Sequence, residues 1–133
     1  MPRYLLDTNA CSCVIKRSHE KLLKKLARMA IEDVAISVVT QAELFYGVEI
    51  SSRRQNDEAA VRGFLRHVEV LDFTSEAALH YAQIRAHLKR LGTMIGANDL
   101  FIAAHARALG LTLVSNNARE FKRVPDLKLE NWA

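Results

Sequence analysis

The sequence is poor in the residues that crosslink small domains or interrupt a chain. It has two cysteines, Cys11 and Cys13, and two prolines, Pro2 and Pro125, which lie near the ends. One residue separates the cysteines, which is too close for ordinary disulfide geometry and outside the usual spacing of zinc knuckles, so we expect reduced thiols. With five glycines in 133 residues and no linker-like stretch, residues 1–133 are expected to form one domain.

Long apolar runs are also missing. No stretch approaches the roughly 18 apolar residues of a membrane-spanning helix, and residues 1–6 lack the apolar run of a secretory signal. We therefore expect an unprocessed, cytoplasmic protein without a membrane partner. The composition that remains, 50% hydrophobic and 26% charged, is that of an ordinary folded domain.

The charge has a modest positive excess. Nineteen Lys and Arg against fifteen Asp and Glu give a formal charge of +4, which is compatible with a polyanionic partner without requiring one. One predicted helix carries a basic stripe opposite its apolar face. The stripe is either a solvated face or a phosphate-contacting surface, and the sequence does not separate the two. It consists of Lys21, Lys24, Lys25 and Arg28.

Short β-rich runs alternate with longer helical patterns. Strands are predicted at residues 4–6, 34–37, 68–71 and 111–115. Helices are predicted at about 20–30, 38–48, 56–67, 74–91 and 98–109. The most regular helix begins after Thr74 and Ser75, which are good capping residues, and ends at Gly92. This alternation predicts an α/β fold with a central parallel sheet flanked by helices.

Two acidic residues follow the first two predicted strands. In open parallel sheets, ligands and reactions lie at the carboxyl ends of the strands. Asp7 comes directly after the first strand and is either a site residue or the N-cap of the next helix. Glu43 follows the second strand, but Thr40 and Glu43 also fit a capping box, which would make Glu43 purely structural.

Asp99 begins a stripe that continues through Ile102, Ala103 and Ala106 and should face the protein interior. A buried, unpaired carboxylate is costly, so it must be neutralised, hydrogen-bonded or paired with a cation. The structural alternative is that Asp99 only complements the helix macrodipole and caps backbone N–H groups.

A final polar segment follows the fourth strand, although short polar side chains there are also common turn formers. Its members are Ser115, Asn116, Asn117 and Glu120. An α/β fold brings this segment to the same edge as the three earlier acids. Because clustered carboxylates repel one another, a divalent cation is the simplest way to hold them together, and oxygen ligands suit Mg²⁺ or Mn²⁺. Such a site can hydrolyse phosphodiesters, which predicts a nucleic acid substrate.

These motifs resemble those of the PIN-domain nucleases, and among them the VapC toxins of bacterial toxin-antitoxin pairs. The similarity spans essentially the whole chain in the right order. The matching segments are Leu5-Leu6-Asp7-Thr8-Asn9, residues 37–44 with Gly47, residues 95–99, residues 113–117 with 119–121, and residues 127–132.

The resemblance implies a single PIN domain with helices on both faces of the sheet, and a Mg²⁺- or Mn²⁺-dependent endoribonuclease activity. It also implies a VapB-type antitoxin as partner, and a homodimer. Similar short toxins cut initiator tRNA, which makes tRNA the first substrate to consider. Asp7, Glu43 and Asp99 would be the metal-site acids. The supporting polar groups would be Thr8, Asn9, Ser115 and Asn116.

The chain departs from the family pattern at one site position. Many PIN domains carry a fourth acid two residues after the position of Ser115, where this chain has Asn117. The amide carbonyl of Asn117 can still ligate a metal. Glu120, one helical turn further on, is the candidate replacement for the missing acid, its alternative being a solvent-facing carboxylate among basic neighbours.

Two other functions compete with this interpretation. Asp7 could be the phospho-accepting aspartate of a haloacid-dehalogenase-type phosphatase or a receiver domain. The phosphatase pattern expects an acid at Asn9, and both classes expect a lysine near the end of a later strand, where Ser115 and its neighbours stand instead. The second alternative is a catalytically inactive PIN-like module that binds RNA or protein, a reading that only Asn117 favours.

Overall fold

The computed structural model describes residues 2–133, which build a parallel sheet of five strands in the order β3-β2-β1-β4-β5. The central strand β1 pairs through Leu5 with Ala35 on one side and with Leu113 on the other. Buried parallel strands are continuous apolar runs, and every residue of β1 and β2 is buried. The strands are β1 (Tyr4–Leu6), β2 (Val34–Ser37), β3 (Glu69–Leu71), β4 (Thr112–Val114) and β5 (Leu129–Glu130).

Helices cover both faces of the sheet, which confirms the predicted architecture. One face of β1 packs through Leu5 against Ile84 and Ile102, and the other packs through Leu6 against Leu22 and Val61. A short 3-10 helix spans Ile31–Asp33. The α-helices are α1 (Thr8–Lys16), α2 (Glu20–Ala27), α3 (Val38–Glu49), α4 (Arg54–Leu65), α5 (Ser75–Leu91), α6 (Ala97–Leu109) and α7 (Ala118–Phe121).

The predicted caps of α5 are confirmed. The Thr74 hydroxyl oxygen accepts a hydrogen bond from the Ala77 N–H at 3.2 Å, and Gly92 ends the helix with φ +67°. A left-handed backbone of this kind favours glycine because it has no Cβ. The Glu20 helix, in contrast, ends at Ala27 and not near Ala30, because Ala30 is already extended ahead of the 3-10 helix that leads into β2.

Sequence periodicity did not define three segments. The nine-residue helix α1 was expected only through Asp7 as a possible N-cap. Helix α7 has four residues and strand β5 has two, which is too little for a periodic pattern to develop. Cys11 and Cys13 are buried free thiols, in line with the expectation from their spacing. Over residues 2–133, no helix is long and apolar enough to cross a membrane.

Candidate active site

Asp7 lies at the carboxyl edge of the sheet, directly after β1, and is buried to all but 3%. Its Oδ1 accepts a hydrogen bond from the Ala10 N–H at 2.7 Å, so Asp7 does cap α1. Its Oδ2 accepts a hydrogen bond from the Ser115 hydroxyl at 2.5 Å. The capping and the site interpretations of Asp7 therefore hold together, because each uses a different oxygen.

The pKa of Asp7 is raised above its usual value, and burial is the main cause. The negative charge of Glu43 adds to the rise, whereas the hydrogen bonds from Ser115 and Ala10 oppose it. Ser115 is itself held in place because its hydroxyl oxygen accepts a hydrogen bond from the Asn117 N–H at 2.9 Å. The residues after β4 thus anchor the acid that follows β1.

Glu43 lies in the second turn of α3, and the capping-box interpretation is wrong. The N-cap of α3 is Ser37, whose side chain accepts from the Val39 N–H, while Thr40 is fully buried inside the helix. The Thr8 hydroxyl donates a hydrogen bond to Glu43 Oε1 at 2.6 Å. Thr40 Oγ1 lies 3.2 Å from the Thr8 hydroxyl oxygen, so Thr8 of α1 contacts both Thr40 and Glu43 of α3.

Asp99 stands in the first turn of α6, whose N-cap is Gly96. A Cβ at Gly96 would lie 3.5 Å from Asp99 Oδ2, so the carboxylate folds back over the start of the helix. Ile102 and Ala103 of the predicted stripe are fully buried, whereas Asp99 is half-buried at the open end of the stripe. The apolar residues of the stripe therefore pack as expected, and Asp99 lies at the edge of the sheet.

The carboxylates act on one another most strongly at Asp99. Burial, a hydrogen bond to the Glu120 carboxyl and the charges of Glu120, Asp7 and Glu43 together raise the pKa of Asp99 to about 7. The Asn117 amide donates a hydrogen bond to Glu120 Oε2 at 3.3 Å. Glu120 is thus part of the acidic cluster, and the residue that replaces the usual fourth acid orients it.

Asn9 and Asn116, two of the predicted supporting residues, form their hydrogen bonds with Cys13 and not with the site carboxylates. Cys13 Sγ lies 3.6 Å from Asn9 Oδ1, and the Asn116 amide donates to the same sulfur at 3.3 Å. Asn116 Oδ1 is buried and has no hydrogen-bond partner among residues 2–133. Asn9 and Asn116 therefore meet at Cys13, one turn along α1, and their hydrogen bonds tie α1 to the segment after β4.

The chemistry of the acidic cluster fits a hard divalent cation. All of its donors are oxygens, and because burial and the neighbouring carboxylates together raise the pKa of Asp99, a cation would offset their negative charge. Within residues 2–133, no three His, Cys, Asp or Glu side chains already stand where they could jointly hold a metal ion. One or two carboxylates completed by water are, however, the usual protein ligands of Mg²⁺.

Two cavities adjoin the cluster. One of about 300 Å³ is bounded by Glu43 and the 96–99 segment. The other, about 250 Å³, runs from Thr8 and Glu43 to Lys16 and Asp57. Both cavities therefore open beside Glu43, and one of them also borders Asp99.

The basic stripe of α2 is partly neutralised within the protein. Lys24 Nζ lies 3.1 Å from Glu20 Oε1, and Lys25 Nζ lies 3.9 Å from Glu130 Oε1 and 5.4 Å from the centre of the Trp132 ring. These contacts favour the solvated-face interpretation for Lys24 and Lys25.

Sequence reasoning assigned no site role to three polar residues on the elements that carry Glu43 and Asp99. Ser37, Thr40 and His105 are fully buried. The available signal was a histidine inside an otherwise apolar helix, and a threonine three residues before Glu43 that was assigned to a cap. Their roles depend on which helices pack together, which periodicity does not show.

The comparisons with known proteins agree with this geometry. Residues 4–127 match the sequence profile of the PIN domain. The chain is 42% identical over 132 residues to a tRNA(fMet)-specific endonuclease VapC of Salmonella typhimurium, covering 99% of each. It is 44% identical over 132 residues to a ribonuclease VapC2 of Haemophilus influenzae, again covering 99% of each.

A solved structure gives the same result. DNA-bound VapBC from Salmonella typhimurium contains a chain that matches this one with a TM-score of 0.94 and 41% identity, over 100% of both chains. The phosphatase and receiver alternatives are set aside, since neither accounts for a likeness of this extent. The chain therefore belongs to the PIN-domain family and, within it, to the VapC ribonucleases.

Proposed function

We propose that this chain is a Mg²⁺- or Mn²⁺-dependent endoribonuclease toxin that acts on tRNA in the cytoplasm, initiator tRNA being the first substrate to test. The observation that carries the proposal is the acidic cluster, in which burial and the neighbouring carboxylates of Glu120, Asp7 and Glu43 raise the pKa of Asp99 to about 7. The named activity of the Salmonella relative supports the choice of RNA.

Asp7 and Asp99 are proposed as the principal metal ligands, with Glu43 and Glu120 completing the negative charge around the ion. When bound, the cation supplies a polarised phosphodiester oxygen and a water of lowered pKa. Hydrogen bonds within the chain hold the carboxylates in place before an ion binds. Ser115 restrains Asp7, Thr8 restrains Glu43 and Asn117 restrains Glu120. Restrained acids lose little conformational freedom when they engage an ion, which favours both affinity and correct placement.

The experiment is cleavage of a purified total tRNA pool and of initiator tRNA transcribed in vitro, with Mg²⁺ or Mn²⁺ and with EDTA. Asp7→Ala, purified identically, controls for contaminating nuclease. We expect cleavage that needs the metal and is lost in the variant. Cleavage that is unchanged by EDTA would overturn metal dependence, and cleavage of neither substrate, together with no Mn²⁺ binding in calorimetry, would favour the inactive binding module.

A VapB-type antitoxin is proposed as partner, and an apolar groove offers its docking surface. A cavity of about 260 Å³ opens between α1, α2 and α4, and most of its lining comes from the Glu20–Val68 region. Short antitoxin helices fit apolar grooves of this kind. Its apolar lining includes Val14, Leu26, Met29, Phe64 and Val68.

The groove is testable separately from catalysis. Leu26→Asp should abolish co-purification with the antitoxin encoded by the adjacent gene, while tRNA cleavage by the toxin alone is retained. Lys24→Asp, on the exposed face of the same helix, is the matched control and should leave the complex intact. Equal binding of the antitoxin by both variants would exclude this groove.

Self-association is proposed from exposed apolar residues on α3. Tyr46 is 64% exposed and Ile50 is 66% exposed, although both are large hydrophobic residues. Exposed apolar residues clustered on one helix are typical of interfaces. Light scattering coupled to size exclusion should give the mass of a dimer, and Tyr46→Lys with Ile50→Lys should give that of a monomer.

A further inference from the structure

His105 is a completely buried histidine in the apolar helix α6. Its Nδ1 lies 2.8 Å from Ser37 Oγ. The Phe73 ring packs against the imidazole in a T-shaped arrangement with the ring centres 5.4 Å apart. A buried polar ring is unfavourable unless its hydrogen bonds compensate, and here Nδ1 has the bond to Ser37 while Nε2 has no hydrogen-bond partner among residues 2–133.

Ser37 connects this histidine to the start of α3. It is the last residue of β2 and the N-cap of α3, where its Oγ accepts a hydrogen bond from the Val39 N–H at 3.1 Å. The same hydroxyl also forms the hydrogen bond with His105 Nδ1. A neutral imidazole protonated on Nε2 accepts this bond from the hydroxyl, and one protonated on Nδ1 donates it.

The orientation of α3 in turn determines where Glu43 lies. From its start at Val38 the helix carries Thr40 and then Glu43 towards Thr8, whose hydroxyl donates to the carboxylate at 2.6 Å. A shift of the N-terminal turn of α3 would move Glu43 relative to Thr8. On the other side of β1, Ser115 performs the comparable task for Asp7 by direct contact.

The bond between His105 and Ser37 also joins two helices that carry site acids. Asp99 lies on α6, the helix of His105, and Glu43 lies on α3, the helix that Ser37 caps. The two bonded side chains are 68 residues apart in the sequence, and α3 packs against α6. The contact is therefore a polar link between the supports of two carboxylates.

We propose that His105 is a positioning residue of the acidic site, which through Ser37 fixes α3 against α6 and so sets the placement of Glu43 relative to Asp99. The inference rests on the proposed function, since it assumes that these carboxylates bind a metal ion and act on RNA. His105 itself touches neither the substrate nor the ion.

The test compares two substitutions of His105 with opposite effects on the hydrogen bond. His105→Asn retains a polar atom close to the position of Nδ1, whereas His105→Leu keeps the apolar packing and removes the bond. For His105→Leu we expect kcat on tRNA to fall roughly ten- to hundredfold with KM nearly unchanged, the usual effect of losing a supporting contact. For His105→Asn we expect kcat within about threefold of the wild type, by the same reasoning.

Mn²⁺ affinity, measured by electron paramagnetic resonance on the protein without RNA, is the second readout. His105→Leu should weaken it by about tenfold or more, whereas His105→Asn should not. Ser37→Ala, which also removes the cap of α3, should cause at least the same loss, and adding His105→Leu to it should cause little further change, because the bond to His105 is already absent. Ile102→Ala, a fully buried position on the same helix, is the control for destabilisation alone.

Three results would overturn the proposal. The first is wild-type kcat and Mn²⁺ affinity in a folded His105→Leu or Ser37→Ala protein. The second is an equal loss in Ile102→Ala, which would make the effect one of general stability. The third is additive losses in the double variant. A wild-type protein that cuts no RNA would count against the proposed function, and Mn²⁺ affinity across the same variants would still decide the role of His105.

Discussion

Asp99 allows the acidic cluster to be tested through stability as well as activity. We expect Asp99→Asn to stabilise the metal-free protein above pH 7 while removing most ribonuclease activity. Asparagine keeps the size and hydrogen-bonding capacity of the side chain but cannot carry the charge that burial, Glu120, Asp7 and Glu43 disfavour. The same charge is the one that a metal ion would need.

The magnitude follows from the shift of the Asp99 pKa from 3.8 to about 7. At about 1.36 kcal/mol for each pKa unit, the full difference would be roughly 4 kcal/mol. Asp99 is only half-buried, so solvent screening reduces this to about 1 to 2 kcal/mol. For a domain of this size we expect Asp99→Asn to raise Tm by about 3 to 8 °C at pH 8.

The pH dependence has a definite sign. A carboxyl whose pKa is raised by folding binds its proton more tightly in the folded state, so the wild type loses stability as pH rises from about 4 through about 7. Asparagine does not titrate in this range. The stability difference between Asp99→Asn and the wild type should therefore be small near pH 4 and complete above pH 7.

The assay is thermal and urea denaturation in EDTA at several pH values from 4 to 8, with cleavage of tRNA in Mn²⁺ measured on the same preparations. Glu76→Gln is the matched control, because Glu76 is an exposed acid in the first turn of another helix, α5. The reasoning fails if the difference for Asp99→Asn does not change with pH, if this variant is less stable than the wild type at pH 8, or if it cleaves at the wild-type rate.

Ser115→Ala should cost about 1 to 3 kcal/mol of unfolding free energy, because a buried carboxylate loses a hydrogen bond. Ser115→Ala should also shift the acidic limb of the pH–rate profile to higher pH, because the lost hydrogen bond lowers the pKa of Asp7 in the wild type. An acidic limb at the wild-type pH would contradict this expectation. Asn117→Asp supplies a fourth acid and should tighten Mn²⁺ binding in calorimetry, while unchanged binding would exclude position 117 from the site. Burial lowers the pKa of His105, so the wild type should lose stability as pH falls below about 6.5. His105→Leu should reduce this pH dependence of stability. The same change in unfolding free energy with pH in the variant and the wild type would refute the prediction.

The strands and the longest helix were predictable because their signals are local. The residues of β1 and β2 are continuous apolar runs, which is the pattern of strands buried on both faces. The ends of α5 were fixed by the hydroxyl of Thr74 and the left-handed backbone of Gly92. The end of α2 was missed because the chain turns at Ala30 to enter β2, a constraint set by the sheet.

The sequence by itself predicted the candidate acids: Asp7 and Glu43 follow strands, whose carboxyl ends a parallel sheet gathers at one edge, and Asp99 begins an apolar helix stripe. Tertiary structure decided what holds each acid. Ser115 bonds Asp7 across 108 residues, and Thr8 bonds Glu43 across 35. The role of Glu120 depends on the placement of α7 beside Asp99, and that of His105 on the packing of α6 against α3. Hydrogen bonds between distant segments depend on strand order and helix packing, and periodicity along one segment carries no information about either.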